Sequence, residues 1–247
     1  MSYPNINSHL GALIKNLQKL PQSEYVVLRH ELAEVNSKEQ YRRDVLLLDN
    51  HLALAVQHCL RFGRLIRERS RPGKDVANAN RMVLDKLAEI RAVIGLHRLG
   101  FENIVFRETP DLSVDLDGKT LAVEVTRLSS SPLHPIKLVE MLADGDDPQQ
   151  LAKEILSKVA SKQAQLNQHR GTYAEDLIWV SLGRDYFTAG LYERPATALR
   201  ARFSGYASDA LSLAVSRIKA TLTYPELSYV ALCPGRDLQD MLLDTRQ

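Results

Sequence analysis

The chain has 247 residues, 45% of them hydrophobic and 25% charged, with a formal net charge of +2. That balance builds a globular core and excludes a polyelectrolyte that collects nucleic acid by overall charge, so any basic binding surface has to be local. The two cysteines, Cys59 and Cys233, stand far apart and outside any CxxC pair, which argues against a disulfide framework or zinc ribbon and sets a reducing, cytoplasmic location as the expectation.

The opening Met-Ser-Tyr-Pro-Asn lacks the basic and apolar regions of a secretory signal. The longest apolar candidate, Val45 to Leu60, is interrupted by Asp49, Asn50, His51, Gln57 and His58, short of the roughly 18 to 20 apolar residues that cross a bilayer. No membrane partner is expected. Ile6, Leu10, Leu13, Ile14, Leu17 and Leu20 recur at helical steps until Pro21 breaks the run. A second helical segment carries Tyr25, Leu28, Leu32 and Val35, and a third runs from about Lys38 to Arg69. The Pro-Gly pair within Ser70 to Asp75 punctuates the chain. It divides a helical accessory region, 1–72, from a second domain, 73–247. The basic run from Arg61 to Arg71 reads first as a solvated helix face and second as a nucleic-acid contact. Dimerisation through the N-terminal helices is an equal expectation.

Beyond that boundary the pattern changes. Asn80 to Leu99 is a helix with Gly100 at its C-cap. Ile104 to Phe106, Asp111 to Leu116 and Lys119 to Leu128 are short and β-like, and a Ser-, Pro- and Gly-containing loop spans Ser129 to Pro148. A helix at Gln149 to His169, a strand at Leu177 to Leu182, a helix at about Ala196 to Leu222 and a strand at Leu227 to Cys233 complete the order. Strands flanked by helices in this order predict an α/β fold, a mixed central sheet with helices on its faces.

The chemistry concentrates in one hairpin. Asp117-Gly118 between two alternating runs signals a two-residue type I′ turn. Counting outward sets Leu112 against Val123 and Asp111 against Glu124. Alternation places Leu112, Val114, Leu116, Leu121, Val123 and Val125 on the core face, and Asp111, Ser113, Asp115, Ala122, Glu124 and Thr126 on the other. Paired carboxylates with Cβ atoms about 5 Å apart repel, and a divalent cation is one way to offset that. A solvated hairpin face is the plain alternative.

Pro110-Asp111, twelve residues, then Glu124-Val-Thr126 at the end of an apolar strand resembles the signature of the PD-(D/E)XK nuclease superfamily, whose restriction-endonuclease-like core runs helix, three strands, helix, strand. The resemblance covers about residues 81 to 185 and extends towards 233, leaving out the N-terminal helices. It implies a metal-dependent endonuclease acting on DNA or RNA. Asp111, Glu124 and the backbone carbonyl of Val125 would hold Mg²⁺ or Mn²⁺, joined by Glu89 from the preceding helix. Glu89 reads equally well as a surface glutamate.

The sequence departs from the motif at its lysine, where Thr126 stands. Either the site is degenerate and the domain only binds nucleic acid or a protein partner, or a lysine arrives from elsewhere, as in relatives that carry it on the following helix. On that helix Leu151, Ile155, Val159 and Leu166 form the apolar stripe, and at 100° per residue Lys162 falls inside it. Lys158 lies at its edge and Lys153 points away. A lysine in an apolar stripe needs a partner or must snorkel to water, so Lys162 is the first candidate for the displaced lysine and Lys158 the second. Arg127 and Lys158 are candidates to track the nucleic-acid backbone, and Gln163 and Gln165 for phosphate contacts. A separate metal site at His51, His58 and Cys59 is a remote third reading. Neither GxSxG nor a P-loop is present.

Overall fold

The computed structural model describes residues 11, 42–61, 76–107, 109–128, 148–169, 171–182, 197–221, 227–233 and 239–246. The two helices expected before residue 38, the basic run after Arg61 and the loop at 129–147 lie outside the described residues. In chain order the elements are α1 (Arg42–His58), β1 (Cys59–Leu60), α2 (Val76–Arg98), β2 (Glu102–Phe106), β3 (Leu112–Leu116) and β4 (Lys119–Leu128). They continue with α3 (Gln149–Leu166), β5 (Glu175–Leu182), α4 (Thr197–Thr221), β6 (Leu227–Cys233) and β7 (Met241–Asp244).

Local chemistry explains the two turns that fix the site. Helix α2 stops because Gly100 takes a left-handed φ of +90°, a conformation that suits glycine. Gly100 N–H then donates to the His97 carbonyl and Phe101 N–H to the Leu96 carbonyl. These are the two bonds of a Schellman stop, closed by the buried pair Leu96 and Phe101. In the hairpin, Asp117 and Gly118 both have positive φ, 51° and 77°, as a type I′ turn requires. The resulting β3–β4 register runs from Leu116↔Lys119 to Leu112↔Val123, as counting from the turn predicts.

The strands form one seven-stranded mixed sheet in sequential order, β1 through β7. β4, β5 and β6 run parallel, β2–β3–β4 is antiparallel, β7 is antiparallel to β6, and β1 is parallel to β2. The two parallel crossovers advance in the same direction, so their helices share one face. There α3 and α4 pack on Ala122, Ile178, Val180 and Val230. On the opposite face α1 and α2 pack on Leu121, Val123, Val125 and Trp179. Both faces of β4 are therefore buried: Ala122, on the face left open by the sequence pattern, is as enclosed as Val123. No helix among the described residues is long and apolar enough to cross a membrane.

Two departures from the sequence expectation concern the sheet edges. The helix expected to run on to Arg69 ends at His58, and Cys59 and Leu60 pair instead with Ile104 and Val105. Arg61 follows at a positive φ of 61°, which turns the chain out of helical geometry. The second departure is β7, formed by Met241–Asp244 against Tyr229 to Leu232 and not anticipated from its short Met-Leu-Leu-Asp sequence. The division at residue 72 falls outside the described residues. Within them, α1 and β1 share the core of α2 and the sheet.

Candidate functional site

One step past Leu112↔Val123, the register sets Asp111 beside Glu124. Asp111 precedes the first residue of β3, and its carboxylate continues the ladder: Val125 N–H donates to Asp111 Oδ2 at 2.8 Å. In a strand a residue's N–H and C=O leave on the same side, so the Val125 carbonyl also projects toward the end of β3. Glu124 is 3% exposed. It is enclosed because β4 lies in the middle of the sheet and α3 covers its face.

The lysine comes from α3. Lys162 Nζ donates to Glu124 Oε2 at 2.8 Å and lies 3.7 Å from Asp111 Oδ2. Its side chain is 20% exposed, and the neighbouring stripe residues Leu151, Ile155, Val159 and Leu166 are buried. The lysine inside the apolar stripe is thus the one that finds a partner. Lys158 is half-buried and makes no ion pair among the described residues. Thr126, at the motif position, is half-buried on β4 and pairs in register with Val180 of β5.

The electrostatics have one sign. Burial, then the Asp111 charge, pushes the Glu124 carboxyl up to about 7, with Lys162 only partly offsetting them. Burial works against the charge on Lys162, but Asp111, Glu124 and the more distant Glu89 together hold it above the ordinary lysine value. Acid and base alike hold their protons more tightly than they would in water. For Glu124 the first cause is burial, and for Lys162 it is the carboxylates around it that outweigh burial.

Glu89 is buried on α2 and acts on Lys162 through its charge. Among the described residues, no three His, Cys, Asp or Glu side chains come together closely enough to hold a metal, so Glu89 does not complete a carboxylate triad with Asp111 and Glu124. The same fact removes the His51, His58 and Cys59 reading. His51 is buried and held uncharged down to about 3 by desolvation and by Arg91 and Arg98. His58 stacks on His97 with ring centroids 3.8 Å apart, and burial pushes the Cys59 thiol up to about 12.

Two neighbours add polar groups. Gln163, 1% exposed, reaches Asn167 only through a long 3.4 Å bond, and its Oε1 has no partner among the described residues; Gln165 is exposed. Arg127 is buried against α2, 3.4 Å from Asp85, and so does not face the acid pair. Arg107, which the sequence reading passed over, donates its N–H to the Asp111 carbonyl and its Nε to Ser113 Oγ. Finding it required the β2–β3 register, and the connection between those strands carries no two-residue turn from which to count. No protein-family model, curated protein or solved structure matches the chain.

Proposed function

We propose that the chain is a metal-dependent nuclease that hydrolyses phosphodiester bonds of DNA or RNA, with Asp111, Glu124 and Lys162 as its centre. The observation that carries this reading is the arrival of Lys162 from α3 at both hairpin carboxylates. A lysine absent from the motif strand is supplied at the same acid pair by another element. The donor set suits Mg²⁺ or Mn²⁺, which take one or two carboxylates and complete their shell with water. Asp111, Glu124 and the Val125 carbonyl would hold the ion, and two carboxylates beside a single ammonium suit a cation there. When bound, the ion supplies an acidified water and neutralises charge developing on the phosphoryl group.

The chain's own groups divide the remaining work. Asp111 is oriented by the Val125 amide, which leaves its second oxygen to a ligand. Lys162, within reach of both carboxylates, is placed to orient the attacking water or a phosphate oxygen. Glu89 maintains the field that keeps Lys162 charged. One observation favours a second reading, a non-catalytic module that binds nucleic acid or a protein. No third acidic, His or Cys ligand joins the pair among the described residues.

A cleavage assay separates the two. Labelled single- and double-stranded DNA and RNA are incubated with Mg²⁺, Mn²⁺ or EDTA, using the wild type, Glu124→Gln, Lys162→Ala and Lys158→Ala. The nuclease reading expects metal-dependent cleavage that falls at least about 100-fold in Glu124→Gln and Lys162→Ala and persists in Lys158→Ala. Absence of cleavage of every substrate in either metal would overturn it in favour of the binding module.

A further inference from the structure

The β2–β3 register, Val105↔Ser113 and Phe106↔Leu112, continues to Arg107 beside Asp111, and the Arg107 amide bond to the Asp111 carbonyl extends it. Directly paired residues share a face, so Arg107, Asp111 and Glu124 form one row across three strands. The Arg107 side chain is held on that face by its Nε–H bond to Ser113 Oγ, 2.9 Å long, and Ser113 is itself buried.

Some arginines of the fold pair with carboxylates and others, such as Arg217 on Gln149, bond a neutral oxygen. Arg91 pairs with Asp240, Arg127 with Asp85, and Arg246 with Glu175 and Asp244. Arg107 shares a row with two carboxylates, yet among the described residues its guanidinium pairs with none and spends one of its five N–H donors on a neutral hydroxyl. The remaining fork is rigid, permanently charged and half-exposed, a shape suited to two oxygens of one phosphate.

We infer that Arg107 is a substrate-binding residue that grips a backbone phosphate of the nucleic acid beside the one brought to Asp111 and Glu124. This rests on the nuclease reading and adds the contact that sets the strand in register with the acid pair. Ser113 is then a positioning residue that fixes the angle of the fork. A phosphate contact of this kind adds affinity without sequence preference.

The test is a binding measurement that does not depend on turnover. Fluorescence anisotropy of labelled DNA and RNA 20-mers in Ca²⁺ is recorded from 50 to 200 mM KCl for the wild type, Arg107→Ala, Arg107→Lys and Ser113→Ala, with thermal melts to verify folding. Arg107→Ala is expected to weaken binding about 10- to 100-fold and to lower the slope of log K against log salt by about one phosphate's share. Arg107→Lys should restore the slope but only part of the affinity, because lysine lacks the fork. Ser113→Ala should weaken binding less and leave the slope unchanged. An Arg107→Ala protein with wild-type affinity and salt slope would overturn the inference, as would a wild type that binds neither nucleic acid. The nuclease reading is judged separately by metal-dependent cleavage in the wild type, so it can stand while this inference falls.

Discussion

At the scale of single residues, the site is an imbalance of charge that the fold tolerates. Two carboxylates face one ammonium, and the least solvated of the three, Glu124, carries the consequence. Its carboxyl titrates near 7 in the native chain against 4.5 as a free glutamate. Below about pH 4.5 both the folded and unfolded forms are protonated and the burial costs nothing. Between 4.5 and 7 the unfolded chain releases the proton while the native state keeps it, so stability falls as pH rises through that window. In EDTA, the melting temperature of the wild type relative to Glu124→Gln should therefore drop from pH 4.5 to 7.5, by the equivalent of about 3 kcal/mol. A pH-independent difference would show that the carboxylate is better solvated than its burial indicates. If the pair holds an ion as proposed, added Mn²⁺ should stabilise the wild type increasingly as pH rises, since the ion would compete with that proton. Much at this scale was legible in advance. Asp111 against Glu124 followed from counting back from Asp117-Gly118, and Lys162 from its angle on a helical wheel. Glu89 and Arg107 were less so, because the place of each depends on a contact between elements that no local pattern encodes.

Among the elements, the hairpin carries the acid pair and α2 braces the opposite face of the sheet, and the two are fixed by different physics. The hairpin is specified by its turn, with positive φ at Asp117 and Gly118. Helix α2 is specified by shape. At Gly95 an added Cβ would fall 2.0 Å from the Trp179 ring and 2.8 Å from Asp240 Oδ2, so the helix approaches the sheet only because that position has no side chain. Gly95→Ala should cost roughly 1–3 kcal/mol or more by overpacking, despite alanine's better helix propensity. A urea midpoint at or above the wild-type value would mean that Trp179 can shift aside. The helices α3 and α4 and the strands β5 and β6 were readable, α3 from its apolar stripe and β5 from its apolar run. β1 and β7 were not. Two or four residues are too few to establish a period, and both are strands because a neighbour offers an open ladder, β2 for the one and β6 for the other.

For the molecule as a whole, the layers are tied by buried charge as well as by apolar contact. Arg91 of α2 bonds Asp240, just before β7, at 2.9 Å, with both side chains almost wholly buried. Removing one member of such a pair strands the other away from water. Asp240→Asn should therefore cost about 3–5 kcal/mol, read as a lower urea midpoint at unchanged m-value. A loss below about 1 kcal/mol would show that Arg91 is satisfied by its other neighbours. The strand order has a consequence for how the protein comes into being. Because every strand lies next to its predecessor, no strand must be inserted between two already paired, and every loop closure joins neighbours in the chain. The sheet can grow like a zip, beginning at the β3–β4 hairpin, whose turn is the tightest. Asp111, Glu124 and Lys162 all precede β5, so this cluster would be assembled while the last third of the chain is still leaving the ribosome. Pulse-labelled hydrogen exchange during refolding should find the β3–β4 amides protected before those of β6–β7, and simultaneous protection would assign assembly to a single concerted step.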